Sequence, residues 1–136
     1  MVEVANLTNS KINIKYFQKI GEVVLRKLKQ PKDIEVSLVF VCDARMKSLN
    51  KKYRGKNKAT DVLSFAYNEN NFLGEIVISV STAKKQAIKR SYPLKTELSE
   101  LFVHGILHLV GYEDETEDDY QRMVKKQEEI WKLLRV

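Results

Sequence analysis

At 136 residues, with 43% hydrophobic and 31% charged side chains, the chain has the size and composition of one ordinary globular domain. No apolar run approaches the roughly 20 residues of a membrane helix, and the N-terminus lacks a cationic segment followed by an apolar one, so neither a membrane span nor a signal peptide is expected. A single cysteine excludes an intramolecular disulfide and makes the cytoplasm the expected compartment. The net charge of +6 is unevenly spread. Six of the 18 acids fall within residues 113–119, and the other 129 residues carry 24 bases against 12 acids. A basic body of this kind attracts polyanions, although basicity alone is a weak pointer to nucleic acid.

In chain order, Val2–Leu7 alternates as a short strand. Residues 13–29 place Ile14, Phe17, Ile20, Val24, Leu25 and Leu28 at helical spacing, with Pro31 beyond the end. Ile34–Cys42 is rich in β-branched and aromatic residues and reads as a strand buried on both faces, which makes Cys42 a buried, inert thiol. Asp43 is expected to cap a helix running to about Tyr53 with Met46 and Leu49 inward. A polar loop, Arg54–Asp61, precedes a strand at Val62–Ala66. A further strand, Gly74–Ser79, follows a loop containing Asn68, Asn70 and Asn71. Helices are expected near 81–91 and 95–110, separated by Pro93. Thr116 and Asp119 resemble a capping box that opens a last helix to about Leu134, whose face of Ile130, Trp131, Leu133 and Leu134 reads as core. The mixed, non-alternating order predicts an α+β domain, a small mixed sheet of about four strands packed with helices.

Chemistry concentrates at His104-Gly-Ile-Leu-His108-Leu-Val-Gly111-Tyr-Glu-Asp114. The two histidines are the only ones in the chain and lie four residues apart. On a helix that spacing stacks them on one face, Cβ atoms roughly 5–6 Å apart. Leu98, Leu101, Phe102, Val103, Ile106, Leu107, Leu109 and Val110 surround them, so the helix is expected to be buried centrally. Gly111 lets the chain leave the helix, and Asp114 can return as a third ligand. Glu113 or Glu115 could take that place. Three protein donors with a position left for water describe a catalytic zinc site, one ion per chain. The acids at 116–119 have a simpler role at the positive end of the last helix.

The second cluster is basic. Lys51, Lys52, Arg54, Lys56 and Lys58 fall within eight residues, with Tyr53 among them and Gly55 relaxing the backbone. Arginine offers a planar fork for a phosphate, and lysines supply diffuse attraction.

Together Tyr53-Arg54-Gly55-Lys56, Thr60-Asp61-Val62-Leu63-Ser64-Phe65, Gly74-Glu75-Ile76-Val77-Ile78-Ser79 and His104-Gly105-x-Leu107-His108-Leu109-x-Gly111-Tyr112 strongly resemble the YbeY family of bacterial metal-dependent endoribonucleases, linked to ribosomal RNA maturation and ribosome quality control. The match runs in order from about residue 36 to the C-terminus. The resemblance implies an α+β fold, zinc held by three side chains, and a cleft where Arg54 meets RNA. By position His104 and His108 match the first two ligands. The family's pattern has a third histidine where this chain has Asp114. A carboxylate is an acceptable zinc ligand, but its charge predicts a less acidified bound water and keeps other, harder divalent ions open. Implied partners are ribosomal RNA or its precursor and ribosomal subunits, held in part by Lys51, Lys52, Lys56 and Lys58; neither DNA nor a membrane is expected. Whether a general base or the RNA's own 2′-hydroxyl initiates attack stays open.

Two other readings compete. The histidine spacing also suits a zinc metallopeptidase, but those need Glu after the first histidine as general base, and Gly105 stands there. Glycine inside a buried helix points instead to close packing. The third reading is a non-catalytic, metal-stabilised RNA- or ribosome-binding protein.

Overall fold

The computed structural model describes residues 1–134. Strands β1 (Val2–Asn6), β2 (Glu35–Val41), β3 (Val62–Glu69) and β4 (Phe72–Ser79) form one sheet in the order β1-β2-β4-β3. The first three neighbours run parallel and β3 closes one edge antiparallel to β4. Helices α1 (Ile14–Lys27), α2 (Asp43–Arg54), α3 (Val80–Arg90), α4 (Leu94–Leu109) and α5 (Glu117–Leu134) complete the α+β domain expected from the pattern of elements. None of the described helices is long and apolar enough to cross a membrane.

Side-chain alternation along the strands divides the core. Val36, Leu38 and Phe40 of β2 and Ile76 and Ile78 of β4 face a large cluster that takes in α1, α4 and buried residues of α3 and α5. The odd-numbered residues Val41, Leu63 and Val77 face the other way, where Met46 of α2 is fully buried against them. Only the first face is thickly covered. That asymmetry corrects the expectation of a β2 buried on both faces: Ser37 and Val39 are half-buried on the thin side. Cys42 is likewise exposed rather than buried, because it lies past the last strand residue at the N-cap of α2.

Asp43 is not the cap that was expected. It is the first residue within α2, and its carboxylate accepts hydrogen bonds from the hydroxyls of Ser79 and Thr82 at the start of α3. Those bonds hold its carboxyl below the ordinary aspartate range, against a smaller opposing effect of burial. The expected loop before β4 is a tight hairpin. Asn70 and Asn71 both have positive φ (52° and 65°), as a two-residue turn matched to strand twist requires. Asn68, also left-handed, sits in the register shift between Ala66 and Glu69. At the last helix the Thr116 hydroxyl caps the Asp119 amide at 3.1 Å, but the Asp119 carboxylate turns to Arg122 at 2.8 Å, so the box is one-sided. Of its predicted core face only Ile130 is fully buried; Trp131 and Leu134 are half-buried and Leu133 is exposed.

Candidate metal centre and adjoining cleft

Helix α4 runs through the middle of the structure against β3, β4, α1, α3 and α5. Its approach to the sheet depends on Gly105. A Cβ there would lie 2.8 Å from Ile76 Cγ2, closer than side-chain contacts allow. The residue after the first histidine therefore serves packing, and no carboxylate stands where a metallopeptidase needs one.

The C-terminal turn of α4 builds the site. The Gly111 amide donates to the His108 carbonyl (3.1 Å) and the Tyr112 amide to the Leu107 carbonyl (2.9 Å), the paired bonds of a Schellman ending, with Gly111 at φ 106°. The same turn brings the Tyr112 carbonyl 2.9 Å from His108 Nδ1. A carbonyl can only accept, so Nδ1 carries the proton in the neutral ring and Nε2 presents its lone pair. That Nε2 lies 3.0 Å from His104 Nε2 and 3.8 Å from Asp114 Oδ2. The two rings are nearly perpendicular, at 84°.

Donor atoms of His104, His108 and Asp114 all fall within 4.8 Å of one another. Bonds of about 2.0–2.2 Å to a shared tetrahedral ion would separate donors by roughly 3.2–3.5 Å, a spacing the observed distances bracket. Two imidazole nitrogens and a carboxylate oxygen suit a borderline divalent cation and could hold one. Burial, reinforced by the nearby His108, holds the His104 imidazole below the usual histidine range; Asp114, Asp61 and Gln127 pull the other way. A neutral imidazole is what coordination needs. Glu113 and Glu115 line the same cavity, but among the described residues only Asp114 joins both histidines in a donor cluster.

That cavity, of about 420 Å³, is lined by Arg54, Asp61, Val62 and Ser64 together with the two histidines and residues 113–115. Arg54 reaches it because α2 ends there in a left-handed Gly55 (φ 68°). Lys51, Lys52, Lys56 and Lys58 stay exposed on the surrounding surface and do not line it. The basic loop is tied down by buried Asn50, whose Nδ2 donates to the Lys58 carbonyl at 2.8 Å. Asp61 and Ser64 had no assigned part in the sequence reading. Asp61 is fixed by the Val62 amide (2.8 Å) and Gln86 Nε2 (3.2 Å), and Ser64 Oγ lies 3.4 Å from the Gly105 carbonyl. Their signal was present only as part of the Thr60–Phe65 motif.

Comparison with known proteins agrees with the geometry. The family model described as Endoribonuclease YbeY matches residues 3–135. A protein named Endoribonuclease YbeY from Desulforamulus reducens is 42% identical over 131 residues, covering 89% of this chain and 86% of its own. Another of that name from Persephonella marina is 38% identical over 136 residues, covering 95% and 88%. A solution structure from Thermotoga maritima superposes with a TM-score of 0.67 at 27% identity, over 99% of this chain and 92% of that one. With the family model spanning nearly the whole sequence and its histidine helix, cation loop and sheet all in place, the chain belongs to the YbeY endoribonuclease family.

Proposed function

We propose that this protein is a metal-dependent, single-strand-selective endoribonuclease that acts in ribosomal RNA processing and ribosome quality control in the cytoplasm, on ribosomal RNA or its precursor and in contact with ribosomal subunits. The observation that carries this reading is the shared cavity: Arg54 and the His104–His108–Asp114 donor cluster open onto the same polar space. The names of the relatives supply the substrate class.

In this reading His104, His108 and Asp114 hold one divalent ion, zinc first, with a harder ion accommodated by the carboxylate. Such an ion supplies Lewis-acid polarisation of a phosphoryl oxygen. The Tyr112 carbonyl keeps the His108 Nε2 lone pair aimed inward. Arg54 places a guanidinium beside the phosphate, where two parallel N–H donors match two non-bridging oxygens and stabilise the charge that accumulates on them. Lys51, Lys52, Lys56 and Lys58 neutralise flanking phosphates and release counterions, which makes binding salt-sensitive. Glu113 and Glu115 disfavour a second phosphate in the cavity, and the Arg54 guanidinium draws in the one being cleaved.

The test is cleavage of structured and single-stranded RNA by wild type, Arg54→Ala and His108→Ala, with a chelator control. Wild type should cut single-stranded RNA, chelator and His108→Ala should abolish cutting, and Arg54→Ala should lose most turnover while keeping its metal. Equal cleavage by all three proteins would mean a contaminating nuclease and defeat the proposal.

A further inference from the structure

Tyr53 and Arg54 leave the last turn of α2 on opposite sides of strand β3. Arg54 lines the cavity together with Ser64, whose side chain meets α4. Tyr53 instead packs against Phe65, ring centroids 5.3 Å apart at 66°, on the face covered by α2. Ser64 and Phe65 are successive residues, so their side chains point to opposite faces. Among the described residues β3 is the end strand of the sheet and its only strand neighbour is β4. The end strand β3 thus separates the cavity from the Tyr53 ring.

An exposed tyrosine at a helix end usually needs no explanation. This one is 57% exposed yet held in orientation by Phe65 behind it. Lys52 Nζ lies 5.2 Å from its ring centroid, and Lys51, Lys56 and Lys58, within five residues of it along the chain, are exposed. An oriented aromatic ring among cations is the composition of a single-strand stacking platform, in which the ring takes a base and the cations take its phosphates. Glu75, directly opposite Phe65 across the strands, and Glu69 further along limit the basic ground on the far side. The ring is thus placed to receive a base, with the backbone kept on the lysine side.

We infer that Tyr53, backed by Phe65, stacks an unpaired base adjoining the phosphate in the cavity, the RNA passing round the free edge of β3. In a duplex the faces of the bases are already stacked, so the platform favours unpaired RNA. This inference rests on the proposed RNA-cleaving function and explains its strand preference.

The experiment uses the full-length, metal-loaded protein and a single-stranded RNA carrying 2-aminopurine, with fluorescence read by stopped flow before cleavage accumulates. A matched duplex is the control. Wild type, Tyr53→Phe and Tyr53→Trp should quench the probe. Tyr53→Ala should lose the quench and weaken single-strand binding by about five- to a hundred-fold, the range for loss of one stacked base. Duplex binding should change little. Tyr53→Leu, which preserves apolar packing on Phe65, should behave like Tyr53→Ala. Unchanged quench and affinity in both the alanine and leucine variants would overturn the inference, as would equal losses for duplex. Ring-dependent quenching by a protein that never cuts RNA would instead defeat the nuclease reading and leave the platform standing.

Discussion

The carbonyl oxygen of Tyr112 lies 2.9 Å from Nδ1 of His108, and this contact joins the way helix α4 ends to the state of the imidazole. Termination through Gly111 turns the carbonyl back onto the helix, and the carbonyl then dictates which ring nitrogen is free. Nothing lies within 4 Å of the Cβ that an alanine would add at Gly111, so its effect there is conformational rather than steric. At φ 106° a side chain is strained. Gly111→Ala should therefore shift the Tyr112 carbonyl and weaken metal binding about 10- to 100-fold, as expected for loss of a ligand's outer partner. Competition with a chromophoric chelator measures it. Unchanged affinity would show that the carbonyl does not orient the ring.

Asp114 puts an anion in the donor cluster at the position where the family's pattern has a neutral histidine. Asp114→Ala should lower metal affinity by more than about 100-fold, beyond what an outer partner costs. Asp114→His should retain one ion per chain. If Glu113 or Glu115, which line the same cavity, were the true third donor, Asp114→Ala would keep its metal and the corresponding glutamate variant would lose it.

Gly105 faces Ile76, which is fully buried and cannot retreat. Alanine would gain about 1 kcal/mol of helix propensity but force α4 off the sheet, an overpacking cost of about 1–3 kcal/mol. Gly105→Ala should be destabilised in urea titrations, with a shifted midpoint and an unchanged slope. A variant as stable as wild type would mean that α4 has slack against β4.

Glu97 is completely buried beside Arg90, 3.4 Å away, and its Oε2 has no hydrogen-bond partner among the described residues. Burial raises its carboxyl above the ordinary glutamate range, opposed by Arg90 and reinforced by Glu100 and Asp61. A raised folded-state value means that the protonated form is favoured on folding. Its stabilisation is complete below the unfolded value near 4.5 and is lost as pH rises through the folded one. Glu97→Gln removes that dependence. Wild type should therefore lose stability relative to Glu97→Gln as pH is raised from about 4 toward neutrality. Urea titrations across that window check the sign, and a difference moving the other way would show that Arg90 outweighs burial.

The His104–His108–Asp114 donor cluster was legible because its members sit within eleven residues, two related by one helical turn and the third by a glycine-terminated loop. Local periodicity carries that information. The basic cluster was equally visible as charge density, but only the fold separates Arg54, which enters the cavity, from four lysines that stay outside. Asp61 and Ser64 join the site through the packing of β3 on α4, a long-range contact with no local signature. Asp43 looked like a cap because the residue type suits one; its hydroxyl partners come from 36 and 39 positions away. The Cys42 error has a similar origin: strand propensity ran on one residue past the last sheet pairing, at Val41.

X-ray absorption at the zinc edge of the loaded protein shows whether His104, His108 and Asp114 share one ion. Two imidazole nitrogens and oxygen donors near 2.0–2.1 Å are expected, with one ion per chain in wild type and none in His108→Ala. A spectrum without imidazole scattering, or one with sulfur at about 2.3 Å, would contradict that coordination.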